Sequence, residues 1–209
     1  MKKIVLLVVL ALLGVVTYFI FYAKKSKPHG DEVKQQPVNV SKHTDSFSTS
    51  FNAAMNDYYA LTEAFVNWDS AAIRSNTGAL KSSLGSINLD ELKQDTLIHE
   101  TAVSYAGSLV EELSAISSQP DITSKRLAFH TFSQNYYDLL RTVKYDGATI
   151  YLQECPMAFE GDQKSGVWLS NKAEIRNPYL GLHHPKYKGG MLICGETKDS
   201  LHFQNQTLN

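Results

Sequence analysis

The chain has 209 residues, of which 20 are basic and 21 acidic, and its formal net charge is −1. This balance argues against a nucleic-acid partner, because nucleic-acid binding needs a basic excess or a basic face. Hydrophobic residues make up 43% of the chain, so a single domain of this length can bury a hydrophobic core without the help of disulfides or metal ions.

The N-terminal stretch has the composition of a membrane span. Residues Ile4 to Tyr22 carry no charge, and lysines flank them on both sides. A helix of this length, at about 1.5 Å per residue, crosses a hydrocarbon layer of roughly 30 Å. The apolar run is longer than that of a signal peptide, and no small-residue cleavage pattern follows it. We therefore expect residues 1–23 to be an uncleaved transmembrane anchor, with a cleaved signal sequence as the alternative.

Only three residues precede this apolar run, which favours an N-terminus that stays inside the cell and a C-terminal domain that is exported. The expected location is a single-pass protein of the bacterial inner membrane with its soluble domain in the periplasm. Residues 24–46 are polar, contain Pro28, Gly30 and Pro37, and show no hydrophobic period. This composition predicts a flexible linker.

Four amphipathic segments follow within residues 47–146. The first repeats apolar residues at helical spacing, as Phe51, Met55, Tyr58 and Phe65 show. The next three helices have N-cap candidates at Asp69, at Asp95 or Thr96, and at Asp121. Because the connections are short, the pattern predicts a mainly α protein built as an antiparallel four-helix bundle with an aromatic core.

The helical period stops after Val143, and residues 147–200 are dense in Gly, Pro and Asn. The β-branched and aromatic run Thr149 to Gln153 predicts a short strand. We expect this Cys- and Met-containing segment to be irregular, with a few short β-strands, and to pack on the bundle. Residues 201–209 form the tail.

Both cysteines lie in this last part of the chain, each close to a methionine: Cys155 with Met157, and Met191 with Cys194. Thiolate and thioether sulfurs are soft ligands that suit Cu(I), whereas Zn(II) prefers four Cys, His or carboxylate ligands. These four residues are therefore the candidate metal ligands.

Two other interpretations of the cysteines stay open. An exported domain with an even number of cysteines commonly forms disulfides. A bridge between Cys155 and Cys194 would close a loop of about 40 residues and stabilise the fold by roughly 4 kcal/mol in the chain-entropy model. The third interpretation is a pair of free buried thiols.

The C-terminal segment resembles the signature of a bacterial family, domain of unknown function 3347. The matching positions are Tyr151, Cys155 to Ala158, Gly166, Trp168 to Ser170, Glu174 to Ile175, Asn177 to Tyr179, Gly181, Met191 to Leu192, and Cys194 to Gly195. The helical part is similar to the same family more loosely, so the resemblance covers about residues 47–200. The inserted run LHHPKYKGG departs from the family pattern and brings His183 and His184, which either add a metal ligand or form a solvated surface loop.

The resemblance implies a link to heavy-metal handling. Members occur as exported or anchored proteins and fused to membrane-fusion subunits of copper and silver efflux systems, so an efflux component is an expected partner. We hypothesise a membrane-anchored cell-envelope domain that binds Cu(I) or Ag(I) for sequestration or transfer. The alternative is a disulfide-stapled periplasmic protein-interaction module with no metal.

An enzymatic function is not expected. The sequence contains no G-x-S-x-G, no H-E-x-x-H and no glycine-rich phosphate loop. The predicted elements also place no helix N-terminus after Cys155 that would lower its pKa and activate it as a nucleophile.

Overall fold

The computed structural model describes Tyr18 and residues 43–159 and 165–203. Contacts between residues divide the chain into Met1–Asn39 and Val40–Asn209, and all elements named below belong to the second unit. The predicted anchor, apart from Tyr18, and nearly all of the predicted linker lie outside the described residues.

The second unit is mainly helical and ends in a small sheet, as the sequence predicts. Four α-helices and one 3-10 helix precede three strands in the order α1 (Asp45–Val66), α2 (Ser70–Gly85), the 3-10 helix (Leu89–Gln94), α3 (Thr96–Ser118), α4 (Ile122–Thr142), β1 (Ile150–Cys155), β2 (Gly166–Ser170) and β3 (Glu196–Leu201). The 3-10 helix is an element that the hydrophobic pattern did not predict.

Polar side chains fix the first turn of each α-helix. Asp69 accepts hydrogen bonds from the first backbone N–H groups of α2, Asp95 from one in α3, and Asp121 from one in α4. Thr44 does the same for α1. Because these N–H groups have no partner inside the helix, each cap satisfies a donor that would otherwise be unpaired. The predicted caps are thus confirmed, and Asp95 rather than Thr96 is the N-cap of α3.

Aromatic rings form the centre of the helical core. Helix α1 packs on α2, α2 on α3, and α3 on α4. The rings of α1 and α4 meet directly, since Tyr58 stacks on Phe129 with ring centroids 5.6 Å apart and Phe65 lies 4.7 Å from Phe129. All three side chains are fully buried, and they lie on the apolar stripes that the sequence shows.

The strands form an antiparallel sheet in the order β2-β1-β3. The outer edge of β2 faces the helices, and two of its backbone N–H groups bind helical side chains. Val167 N–H donates to His130 Nδ1 of α4 at 3.1 Å, and Leu169 N–H donates to the Tyr58 hydroxyl of α1 at 2.9 Å. These bonds satisfy an edge that would otherwise be open, and they attach the sheet to the helices.

The prediction of a single-pass membrane protein is contradicted. Among Tyr18, residues 43–159 and residues 165–203, no helix is both long and apolar enough to cross a bilayer. The longest described helices, α1 and α3, alternate their buried stripes with polar and charged residues such as Glu63 and Glu111. The predicted location as a single-pass protein of the inner membrane is therefore wrong for the described part of the chain, and the predicted span, Ile4 to Tyr22, lies outside it except for Tyr18.

Candidate functional site: a pair of cysteine thiols

The fold brings the two cysteines into contact. Cys155 Sγ and Cys194 Sγ are 3.5 Å apart. Cys155 is the last residue of β1, and Cys194 precedes the start of β3 by two residues. Because β1 and β3 are antiparallel neighbours that pair Glu154 with Glu196, both cysteines lie at the same end of the sheet. A separation of 39 residues along the chain thus becomes a contact between two sulfur atoms.

The two thiols differ in their surroundings. Cys155 is fully buried, whereas Cys194 is partly exposed. Burial raises the pKa of Cys155 to about 11, although its sulfur accepts hydrogen bonds from the Met157 backbone N–H and the Asn177 side chain, which lower it. Cys155 is therefore a protonated thiol at neutral pH, and Cys194 is the thiol that a reagent or partner can reach.

Asn177 holds the two chain segments around the pair together. Its backbone N–H donates to Leu192 O at 2.8 Å, and its side chain donates to Cys194 O at 2.7 Å. Its side-chain oxygen accepts from the backbone N–H groups of Tyr179 and Leu180. Asn177 is fully buried. It was not identified in the sequence as the residue that positions the two cysteines, although it lies in the motif Asn177 to Tyr179.

Gly195 permits the close approach of the strand that follows Cys194. Its φ is +144°, and a Cβ at this position would lie 2.7 Å from Glu154 O and 3.0 Å from the Trp168 ring. No other residue fits that space without moving the backbone of β1. Gly195 therefore sets how closely Cys194 can approach Cys155.

The two candidate methionine ligands differ in their exposure to solvent. Met157 is 50% exposed, whereas Met191 is partly buried against the core. In the inserted loop, His183 is exposed, and His184 Nδ1 accepts from the backbone N–H groups of Lys186 and Tyr187. His184 also lies edge-on to Trp68, with ring centroids 5.4 Å apart. Its Nδ1 is thus occupied by the turn of its own loop.

The expectation of a metal-binding protein is contradicted for sites built from His, Cys, Asp and Glu side chains. Within residues 43–159 and 165–203, no group of three or more His, Cys, Asp and Glu residues could hold a metal ion. The two thiols touch each other, and the polar side chain that contacts them is the amide of Asn177, which is not an anionic ligand. The specific Cu(I) ligand set of Cys155, Met157, Met191 and Cys194 stays a prediction, because that finding does not concern thioethers.

Comparison with known families identifies the helical part. Residues 54–147 match the family described as "Protein of unknown function (DUF3347)". No curated protein and no solved structure matches the chain. The matched range runs from within α1 to the turn before β1, so the motif from Tyr151 to Gly195, which carried the resemblance in the sequence, lies beyond it. The similarity to the DUF3347 family is therefore shown for the helical part of the chain, residues 54–147.

Proposed function

We propose that the chain is a protein-interaction module whose C-terminal segment is closed by a reversible disulfide between Cys155 and Cys194. The observation that carries this proposal is the 3.5 Å distance between the two sulfurs. A disulfide bond is about 2.05 Å long, so the sulfurs need to approach by about 1.5 Å. Adjustments of side-chain torsions and of the turn around Cys194 supply such a movement.

The bridge would link the end of β1 to the turn before β3. The closed loop contains β2, the turn at Asn177 and the inserted loop with His183 and His184. Most of this stretch is not helical, and side-chain hydrogen bonds attach it to the helices. A covalent link across such a segment reduces the conformational entropy of the unfolded chain and so stabilises the folded state.

Closure needs an oxidant, and a small-molecule disulfide such as oxidised glutathione provides one. The thiolate of Cys194 attacks one sulfur of the small disulfide and expels the other as a thiolate. Cys155 then loses its proton and attacks the Cys194 sulfur, which releases the second glutathione thiolate. Two protein thiols are oxidised to one disulfide, and one small disulfide is reduced to two thiols. The exposure of Cys194 and the high pKa of Cys155 favour this order of attack.

The proposed partner surface lies beside the sulfur pair. Met157 and Ile193 are 50% and 77% exposed, and they follow Cys155 and precede Cys194, respectively, within two residues. Exposed apolar side chains are a feature of interaction surfaces. Because both residues belong to the turns that the disulfide would join, closure would fix the surface that a partner protein contacts.

We further propose that the four helices form an antiparallel bundle and serve as the rigid support for this segment. Consecutive helices pack on each other through short connections, which is typical of such bundles. The buried hydrogen bond of 2.8 Å between Tyr58 of α1 and Ser133 of α4 also favours this arrangement.

The disulfide is tested by comparing the stability of the oxidised and reduced protein. We expect the form oxidised by glutathione disulfide to have a free energy of unfolding in urea about 4 kcal/mol higher than the reduced form. Cys155→Ser and Cys194→Ser should unfold at the same urea concentration in both buffers. Equal stability of the oxidised and reduced wild type would contradict the proposal.

A copper titration of the reduced protein separates this function from the predicted metal site. Two adjacent thiols bind Cu(I) by themselves, so uptake alone decides nothing. If the pair is a disulfide site, Met157→Leu and Met191→Leu should bind Cu(I) as tightly as the wild type does. A loss of affinity in either leucine variant would instead show that the thioethers are ligands and would contradict the metal-free function.

A further inference from the structure

His130 of α4 binds the start of β2 through one ring nitrogen. Its Nδ1 accepts a hydrogen bond of 3.1 Å from Val167 N–H, and Val167 is buried. Because a backbone N–H can only donate, Nδ1 carries no proton, and the proton of the neutral ring lies on Nε2. Phe159, which follows β1, lies edge-on to the same ring, with centroids 6.1 Å apart. The sheet thus contacts α4 at a side chain of the type that changes its charge near neutral pH.

Two tyrosine contacts along the same edge of β2 do not titrate near neutral pH. Tyr58 accepts from Leu169 N–H, and burial raises the pKa of its hydroxyl to about 12. Tyr179 donates its hydroxyl to Val167 O, and burial raises its pKa well above the ordinary value. A modest fall in pH can therefore remove the contact at His130 while Leu169 stays attached.

The charges around His130 do not compensate for a proton on the ring. Burial lowers the pKa of His130, and the carboxylate of Glu154 on β1 acts against this change. Among the described residues of the neighbouring elements, Glu154 is the charged group that acts on the ring, and Lys198 of β3 pairs with it at 3.1 Å. Arg126, one turn earlier on α4, places its guanidinium over the Trp68 ring. The surroundings therefore favour the neutral ring that the hydrogen bond requires.

We propose that the hydrogen bond between His130 and Val167 is an acid-sensitive contact, which releases the start of β2 from α4 when the pH falls. A proton on Nδ1 would place one N–H group against another, so both would lose their partner in the interior. Gly166 and Val167 pair with Cys155 and Glu154, so the end of the sheet that opens is the end that carries the cysteine pair. The contact is made by ring and backbone atoms, so it responds to pH whether or not the two thiols form a disulfide.

The direction of the pH response follows from comparing the closed and the opened contact. In the opened state, His130 takes up a proton with an ordinary pKa of about 6.5, whereas the closed contact resists that proton. The opened state therefore gains population as the pH falls below that value. Between about pH 7.5 and about pH 5.5, the equilibrium constant for opening should rise by up to roughly tenfold.

Amide hydrogen exchange of the full chain in reducing buffer measures this opening at single residues. After correction for the intrinsic exchange rate, the protection of Val167 N–H should fall by up to roughly tenfold over that pH range. Leu169 N–H, in the same strand, should keep its protection. The nitrogen chemical shifts of the His130 ring should show an unprotonated Nδ1 at the higher pH. An equal change at Val167 and Leu169, no change at either, or a proton on Nδ1 at the higher pH would overturn the proposal.

His130→Asn is the matched variant, because its Oδ1 takes the place of Nδ1 and accepts the hydrogen bond without titrating. Val167 N–H should then stay equally protected at both pH values. His99→Asn alters a histidine of α3 that lies 3.7 Å from Asp90, and it should keep the wild-type response. A wild-type response in His130→Asn would contradict the proposal. Since Val167 and Leu169 are compared within one wild-type sample, the main test does not depend on the folding of a variant.

Discussion

Arg126 connects α4 to the C-terminal segment through a buried guanidinium. It is 3% exposed, and it donates hydrogen bonds to Phe65 O at 3.1 Å and to Pro178 O at 3.0 Å. The guanidinium also lies 3.8 Å from the centre of the Trp68 ring. A planar group with several donors can bind two carbonyls and stack on a ring at the same time, which a lysine cannot do.

Replacement of Arg126 by methionine should lower the free energy of unfolding by about 2–4 kcal/mol. Pro178 O would stay buried without its donor, at a cost of roughly 1–3 kcal/mol. Phe65 O would keep the backbone N–H of Trp68, and the contact of the guanidinium with the Trp68 ring would be lost. Urea unfolding measures this change. Arg141→Met, in an exposed arginine of the same helix, should change stability by less than about 0.5 kcal/mol. An equally small effect at Arg126 would contradict its role as the connection between the two parts.

The role of Arg126 could have been found in the sequence but was missed. It follows Ile122 by four residues and precedes Phe129 by three, so it lies on the apolar stripe of α4. A charged residue on a buried stripe indicates a specific hydrogen-bonding partner. Its partners, however, are backbone carbonyls of distant segments, and these follow only from the folded structure.

At the scale of elements, the attachment of β2 to the helices depends on single side chains. The Tyr58 hydroxyl accepts from Leu169 N–H at 2.9 Å and lies 2.8 Å from Ser133 Oγ. The adjacent Tyr59 has a buried hydroxyl with no partner among the described residues. Two neighbouring tyrosines of α1 thus differ in whether the hydroxyl contributes to the fold.

This difference predicts opposite results for the same substitution at neighbouring positions. Tyr58→Phe should destabilise the protein by about 1–3 kcal/mol, because Leu169 N–H would be left unpaired in the interior. Tyr59→Phe should leave stability unchanged or raise it, since no hydrogen bond is lost. Both variants are compared with the wild type by urea unfolding in reducing buffer. A loss at Tyr59 equal to that at Tyr58 would show that the hydroxyl of Tyr59 is paired after all.

The helices were predictable from the sequence, and the sheet was much less so. Stripes of apolar residues and caps such as Asp69 and Asp121 are local signals, because they depend on residues within a few turns. Strand β1 was recognised from its β-branched and aromatic run. Strand β3, with the sequence ETKDSL, has no apolar alternation, and its place depends on pairing with β1 across the inserted loop. Such long-range pairing leaves no signal in either segment alone.

At the scale of the whole described unit, the contact between the two cysteines depends on the helices, on the sheet and on the turn at Asn177. The helices hold β2 and the Asn177 turn, β1 lies between β2 and β3, and the pairing of β1 with β3 brings Cys194 to Cys155. The sequence showed that two cysteines were available, but not that their sulfurs meet. It also gave no sign that Met157 would be half exposed and Met191 partly buried, because both methionines lie in turns between strands.

The contact between Cys155 and Cys194 is tested most directly by the mass of the native chain after incubation with oxidised glutathione. We expect a loss of about 2 Da, which corresponds to two hydrogens removed, and a proteolytic fragment that joins the peptides of Cys155 and Cys194. Cys155→Ser should instead retain one bound glutathione on Cys194. A native wild-type chain that keeps both thiols, or that carries two glutathiones without forming the internal bond, would contradict the proposed disulfide.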